Sequence, residues 1–363
     1  MNQAAMPDCA TDAQVVGRSR AVGGGQLAIF GLLILLVPLG IRFTNRSNPE
    51  PPKAASALPA LGFPRQHAFA AHRIPQLQRL NPGWVVIGDS MAGTRIDERR
   101  LAELAGRPVA PLLQAGSGPV FWYLALKNWV IASAIKPRAV FIFFRDTNLT
   151  NLMFRLDEQF RWSLDYVVAD REDEVDALVT AWTSGPWYRV HDAVDAAYQS
   201  DRARWLMEPA FTMWPARVMV PSRRQRTAFL SDLNARFGLE HLRPMDAADI
   251  QTAEDREANF DRDVHRSVLP LMLRDARQAG LTLCFVRVQR RPVGERPPPQ
   301  SRGMRRYIGD LRAYIEANGG VFRDDTGDPA LTLDMYADGD HIAREARRRY
   351  TDIFFYRLRP LFE

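Results

Sequence analysis

The chain has 363 residues, of which 46% are hydrophobic and 25% charged, and it carries a formal net charge of +6. That length holds one large domain with appendages or two small domains, and the charged fraction argues against wholesale disorder. The positive residues are almost all arginine, with lysine only at Lys53, Lys127 and Lys136. No basic block is interleaved with aromatics, so a nucleic-acid partner is not expected.

Residues 1–25 are a small, polar tail ending in Gly23-Gly24-Gly25. Leu27 to Ile41 is then apolar apart from glycines and Pro38. It is somewhat short of the ~20 residues that span a bilayer, and its length also suits a signal-peptide core. Arg42-Phe43-Thr44-Asn45-Arg46 follows where a cleavage site should lie, and Ala55-Ser56-Ala57 is too far downstream. The expectation is therefore an uncleaved single-pass anchor over residues 26–42. Arg18 and Arg20 on one side nearly cancel Arg42 and Arg46 on the other, so the positive-inside rule decides little. A short tail inside and a large domain outside is the simpler topology. It places the domain on the extracytoplasmic (periplasmic) side of the cell inner membrane. Residues 43–75 form a linker, proline-rich and extended from Asn48 to Leu61.

The domain proper runs over 76–363. Trp84-Val85-Val86-Ile87 is an unbroken apolar run with β-branched residues, the pattern of a strand covered on both faces. It leads into Gly88-Asp89-Ser90, a tight turn whose Asp and Ser favour helix N-caps. A serine placed there sits at the C-terminal edge of a parallel sheet, where open α/β folds bind ligands. A helix over Arg95 to Leu104, a strand over Val109 to Leu113 and the turn Gln114-Ala115-Gly116-Ser117-Gly118-Pro119 follow. Next come a helix over Val120 to Ile135 and a buried strand over Ala139 to Phe144, ending in Arg145-Asp146-Thr147-Asn148. Alternating strands and helices joined by short turns predict a parallel, doubly wound sheet.

Residues 150 to about 260 break this rhythm and read as a helical insertion. It carries five of the eight tryptophans, Trp162, Trp182, Trp187, Trp205 and Trp214. These are suited to stacking on a sugar, lining an acyl pocket or simply packing the domain. The α/β pattern resumes with a helix over Asp261 to Gly280 and a strand over Leu281 to Val288. The Arg/Pro loop Gln289 to Pro299 reads as solvated, with contact of Arg290, Arg291 and Arg296 to an anionic polymer or lipid headgroups as the alternative. A helix over Gly303 to Ala317, a short strand over Val321 to Arg323 and a helix over Ala343 to Phe354 complete the chain. The two cysteines, Cys9 and Cys284, form no disulfide framework. Neither cysteines nor histidines show metal-ligand spacing, so no metal or cofactor is expected.

Just before the last helix lies Asp338-Gly339-Asp340-His341. Asp338 and His341 are three residues apart, close enough to face one way in a turn. An Asp orienting a His, which takes the proton of a Ser, is triad logic recognised by roles and not by chain order. Asp340, adjacent to His341, is a second candidate orienter. Ser90 early and Asp-x-x-His late resembles the SGNH (GDSL-type) hydrolase superfamily. The resemblance covers about 80–363 around the insertion. It implies a three-layer flavodoxin-like parallel sheet with Ser90, Asp338 and His341 as catalytic residues. It also implies oxyanion donors from the Ser90 amide, from Gly116 or Gly118, and from a side chain after the third strand. Asn148 fits that last position by type, although register also allows Asp146, whose carboxylate would oppose a developing negative charge. The middle blocks depart from the family's Asn-x-Gly and Gly-x-Asn-Asp.

Membrane-anchored members of this layout resemble enzymes that add or remove acyl groups on extracytoplasmic polysaccharides, often beside a membrane-bound O-acyltransferase. The resemblance thus implies a serine O-acyl esterase or O-acetyltransferase, with an acylated glycan or acyl donor as its partner. Water and hydroxyl acceptors are not distinguished. A lipase or thioesterase, or a catalytically weak scaffold of an acylation or export complex, are the alternatives.

Overall fold

The computed structural model describes residues 58–61, 67–156, 161–185, 258–292, 299–337 and 339–362, together with Leu32. The expected tail, most of the anchor and linker, Trp187, Trp205, Trp214, Arg296 and Asp338 lie outside the described residues. Among the described residues no helix is long and apolar enough to cross a membrane.

The elements alternate as the sequence pattern requires. Helix α1 (Arg73–Leu80) leads to strand β1 (Trp84–Gly88), followed by helices α2 (Ser90–Arg95) and α3 (Glu98–Ala105) and strand β2 (Val109–Leu113). Helix α4 (Pro119–Ala125) precedes β3 (Ala139–Phe144). Helices α5 (Leu164–Val167), α6 (Asp173–Thr183), α7 (Phe260–Val264) and α8 (Leu269–Gln278) come before β4 (Leu283–Arg287). Helix α9 (Arg302–Ala317), strand β5 (Val321–Asp324) and helix α10 (Arg347–Phe362) close the order.

All five strands are parallel, in the order β2-β1-β3-β4-β5. Every residue of β1, β3 and β4 is buried, which accounts for the absence of polar alternation in their sequences. The sheet carries a core on each face. Val85 and Ile87 of β1 point to one core with α4, α8 and α9, while Trp84 and Val86 point to the other with α3 and α10. Pro111, which cannot donate to a ladder, sits in β2 at the edge of the sheet. The chain leaves β1 for β2 on one side and then returns to β3 on the other. The point where strand order reverses is thus the C-terminal end of β1 and β3, the place where such sheets leave a crevice.

Several elements differ from the sequence reading. The helix expected over Arg95 to Leu104 begins three residues later, as α3, because the side chain of Asp97 caps it by accepting from the Arg100 amide at 3.0 Å, and Arg95 instead ends α2. The helix expected over Val120 to Ile135 runs as an α-helix only through α4. It then widens into a π-helical turn, Leu126–Ile131, in which the Ala132 amide reaches back to the Lys127 carbonyl. The helix expected over Asp261 to Gly280 splits into α7 and α8, with Pro270 in the first turn of α8. The far end of the linker is not extended. Pro59–Leu61 is a single 3₁₀ turn, Leu58 is buried, and the Ala60 amide donates to Asp176 Oδ1 at 2.7 Å.

Candidate active site

Four chain segments meet at the C-terminal edge of the sheet. The first is the turn after β1. Asp89 caps α2, its side chain accepting from the Met91 amide at 2.8 Å, and Ser90 is the first residue of that helix. Being first, its own amide has no partner within the helix. Gly88 is required by close packing, since a Cβ there would lie 2.7 Å from Ala92 Cβ and 3.4 Å from Phe143 Cβ. The turn thus lies tight against both its own helix and β3.

The second segment follows β2. The Gln114 amide donates to the Gly88 carbonyl at 3.0 Å, and Ser117 Oγ reaches the same carbonyl at 3.3 Å. Ser117 in turn accepts from the indole of Trp122. A four-residue turn closes from Gln114 to Ser117, and Gly116, at its third position, has φ +70°. The two candidate glycines have different surroundings. Gly116 is half-buried at the edge, whereas Gly118 is buried against the Phe154 backbone, whose carbonyl oxygen a Cβ on Gly118 would meet at 2.1 Å.

The third segment follows β3. Asn148 opens a 3₁₀ turn, its amide bonded to the Arg145 carbonyl at 2.9 Å. Its side chain has no hydrogen-bond partner among the described residues. Asp146, the alternative at this position, has φ +45° and is buried. Both its carboxylate oxygens are taken: Oδ1 by Arg287 Nη2 at 2.5 Å and Oδ2 by Arg290 Nε at 2.6 Å. Burial pushes that carboxyl up, but Arg287 and Arg290 more than offset it and hold the group below the usual range. Arg290 is therefore a buried ion-pair partner, not the solvated loop residue its sequence implies.

The fourth segment carries His341. A short antiparallel bridge joins Tyr336 to Ile342, the Ala337 amide donates to the His341 carbonyl at 2.9 Å, and Gly339 supplies a positive φ of 46°. This hairpin holds His341 so that its Nε2 lies 2.9 Å from Ser90 Oγ, across 251 residues of sequence. Asp340 accepts from Arg145 Nη1 at 2.8 Å and from the Arg291 amide at 2.9 Å. Its carboxylate ties the histidine turn to the loops after β3 and β4. Asp338 lies outside the described residues.

Beneath the serine, Arg95 is wholly buried. It donates to the Met91 carbonyl at 3.1 Å and the Gln289 carbonyl at 2.9 Å, and stacks over Tyr350. The Tyr350 hydroxyl bonds Asp325 Oδ2 at 2.6 Å. Burial raises the carboxyl of Asp89, and the Met91 amide, Arg95, Arg145 and His341 lower it only in part. Arg95, Arg145 and Gln289 are the site-forming residues that sequence reasoning missed.

Chemically, the contact pairs a hydroxyl with a nitrogen base that can accept its proton. No protein-family model matches this chain, and no curated protein matches it.

Proposed function

We propose that the chain is an SGNH-type serine O-acyl esterase or O-acetyltransferase that works through an acyl-enzyme on a cell-envelope or exported polysaccharide. The observation that carries this reading is the 2.9 Å contact between Ser90 Oγ and His341 Nε2 at the switch point of a parallel sheet. In this reading His341 takes the Ser90 proton as Oγ attacks the acyl carbonyl carbon. The oxyanion is received by the Ser90 and Gly116 amides and the Asn148 side chain. Gly116 is preferred to Gly118 because it is the less enclosed of the two. Asn148 is preferred to Asp146 because both oxygens of Asp146 are bound in ion pairs. Collapse expels the alcohol, which leaves with the proton from His341, and water or a sugar hydroxyl then resolves the acyl-serine.

The role of Asp338 as orienter of His341 rests on the Asp-x-x-His pattern. The polysaccharide substrate, a membrane-bound O-acyltransferase as partner and a periplasmic domain on an N-terminal anchor rest on the resemblance and on the apolar stretch Leu27 to Ile41. The strand order β2-β1-β3-β4-β5 agrees with the flavodoxin-like sheet of that family.

The test is the intact mass of the full-length chain after exposure to a neutral fluorophosphonate. Attack by Ser90 Oγ forms an oxygen–phosphorus bond, expels fluoride and passes the proton to His341. One adduct on the parent is expected, with none on Ser90→Ala and at least about a thousandfold slower labelling of His341→Ala. An unlabelled, folded parent would refute the activated serine.

A further inference from the structure

We propose that Arg145 is the specificity-determining residue of this site and takes a carboxylate of the substrate beside Ser90. The proposal rests on the serine-nucleophile reading and adds a substrate class to it, namely esters bearing an anionic group near the reacting carbonyl.

Three observations support it. Arg145 directly follows β3, and the β1–β3 register pairs Ile87 with Ile142. β3 is the neighbour of β1 in the sheet, and the charge of Arg145 acts on Asp89, the residue before Ser90. Arg145 Nη1 lies 2.8 Å from Asp340, so the guanidinium is held to the sequence neighbour of the residue that contacts the nucleophile. Only that one donor is committed among the described residues, and the side chain is 30% exposed. The rest of its planar fork is therefore available on the solvent side, and a guanidinium fork matches a carboxylate with two parallel hydrogen bonds.

Asp340 accepts from Arg145 and from the Arg291 amide, while Asp146, adjacent in sequence, is buried in its own pairs with Arg287 and Arg290. Asp89 accepts from the Met91 amide. The donors of the Arg145 fork that Asp340 leaves free are the ones a substrate carboxylate would take.

The test uses three fluorophosphonates of matched size on the full-length chain, read as Ser90 labelling rates by intact mass. One is neutral, one carries a carboxylate on the alkyl arm that mimics the acyl side, and one carries it on the alkoxy arm that mimics the alcohol side. A carboxylate on one arm is expected to speed labelling by roughly tenfold to a hundredfold. The favoured arm shows whether the charge belongs to the acyl group or to the alcohol.

Arg145→Gln should bring the charged-to-neutral ratio close to one, and Arg145→Lys should keep part of it. Asp340→Asn should slow all three probes alike and leave the ratio standing. Equal rates in the parent would overturn the proposal. So would a preference that survives Arg145→Gln, which would mean only the long-range field of a basic protein. A ratio that collapses equally in Asp340→Asn would reduce Arg145 to a support for the histidine turn, and would overturn it too. Absence of any adduct with all three probes would instead refute the serine reading itself, and this proposal with it.

Discussion

The guanidinium of Arg95 donates to the carbonyl of Gln289 at 2.9 Å, a buried bond that joins the helix beginning at Ser90 to the loop leaving β4. Two residues further along that loop, the Arg291 amide holds Asp340, the neighbour of His341. Nucleophile and base are thus fastened to one short stretch of chain, and their separation is set by that loop as much as by the sheet. Removing Arg95 leaves the Gln289 carbonyl only the longer bond from the Tyr336 hydroxyl and the Met91 carbonyl only the longer side-chain bond from Thr94, and it takes a cation away from Asp325 and Tyr350. Arg95→Met should lower the unfolding free energy by about 3 kcal/mol. It should also slow Ser90 labelling in the molecules that remain folded. Urea unfolding followed by tryptophan fluorescence measures the first effect and intact mass the second. A stable variant that labels at the parent rate would refute this role for Arg95.

Gly88 and Gly93 lie on either side of Ser90 and predict opposite outcomes for the same substitution. A Cβ at position 88 would lie 2.7 Å from Ala92 Cβ, inside any tolerated contact, whereas at position 93 the nearest atom is Leu113 Cδ1 at 4.0 Å. Gly88→Ala must push α2 away from β3. It should cost about 1–3 kcal/mol and displace Ser90 from His341. Gly93→Ala lies within α2 with room to spare and should be neutral or stabilise by up to about 1 kcal/mol. Thermal melting of the two variants side by side decides the point, and similar losses for both would contradict it.

The strands and the serine turn were legible because their signals are local. The runs Trp84–Ile87 and Ala139–Phe144 are continuous and apolar because both faces of the sheet are covered. Asp89 caps α2 through its own neighbouring amide. Whatever depended on a distant partner was hidden. Arg290 sits in a proline-rich loop that looks solvated, and only folding brings it to Asp146, 144 residues away. The loops after β3 and β4 present Arg145 and the Arg291 amide to Asp340, 195 and 49 residues away, and neither partner shows in the sequence. Helix boundaries were missed for a different reason. Asp97 caps α3 and so starts that helix three residues later than the apolar spacing alone suggests.

Cys284 lies in β4 and is wholly buried, and burial pushes its thiol well above the ordinary value. The thiolate is the reactive form, so a group both buried and held protonated should be inert. In a Cys9→Ser background, an aromatic disulfide reagent should react with the folded chain at least about a hundredfold more slowly than with the chain in denaturant. One equivalent should be released on unfolding. Rapid reaction of the folded protein would mean that β4 opens far more easily than a central strand should.

The carboxyls around the site divide by sign, and that division predicts the shape of stability against pH. Asp146 titrates below the ordinary aspartate value of 3.8, because Arg287 and Arg290 overcome the effect of burial. On acidification the unfolded chain therefore binds this proton first. The stability contributed by Asp146 is fully present above 3.8 and is lost as pH falls through its lower folded value. Asp89 and Asp325 are raised by burial, so the fold takes up their protons before the unfolded chain does. Their contribution is fully present below 3.8 and is lost as pH rises through their folded values. The parent should thus gain some stability as pH falls from neutrality towards about 4, then lose it steeply below. Asp146→Asn should cost about 3–5 kcal/mol at neutral pH by leaving two buried guanidinium groups short of a partner, and it should flatten the steep acid limb. Asp89→Asn should remove part of the rise and leave the acid limb intact. Urea unfolding at a series of pH values from 3 to 7 measures both slopes. An acid limb equally steep in Asp146→Asn would show that other groups control acid unfolding.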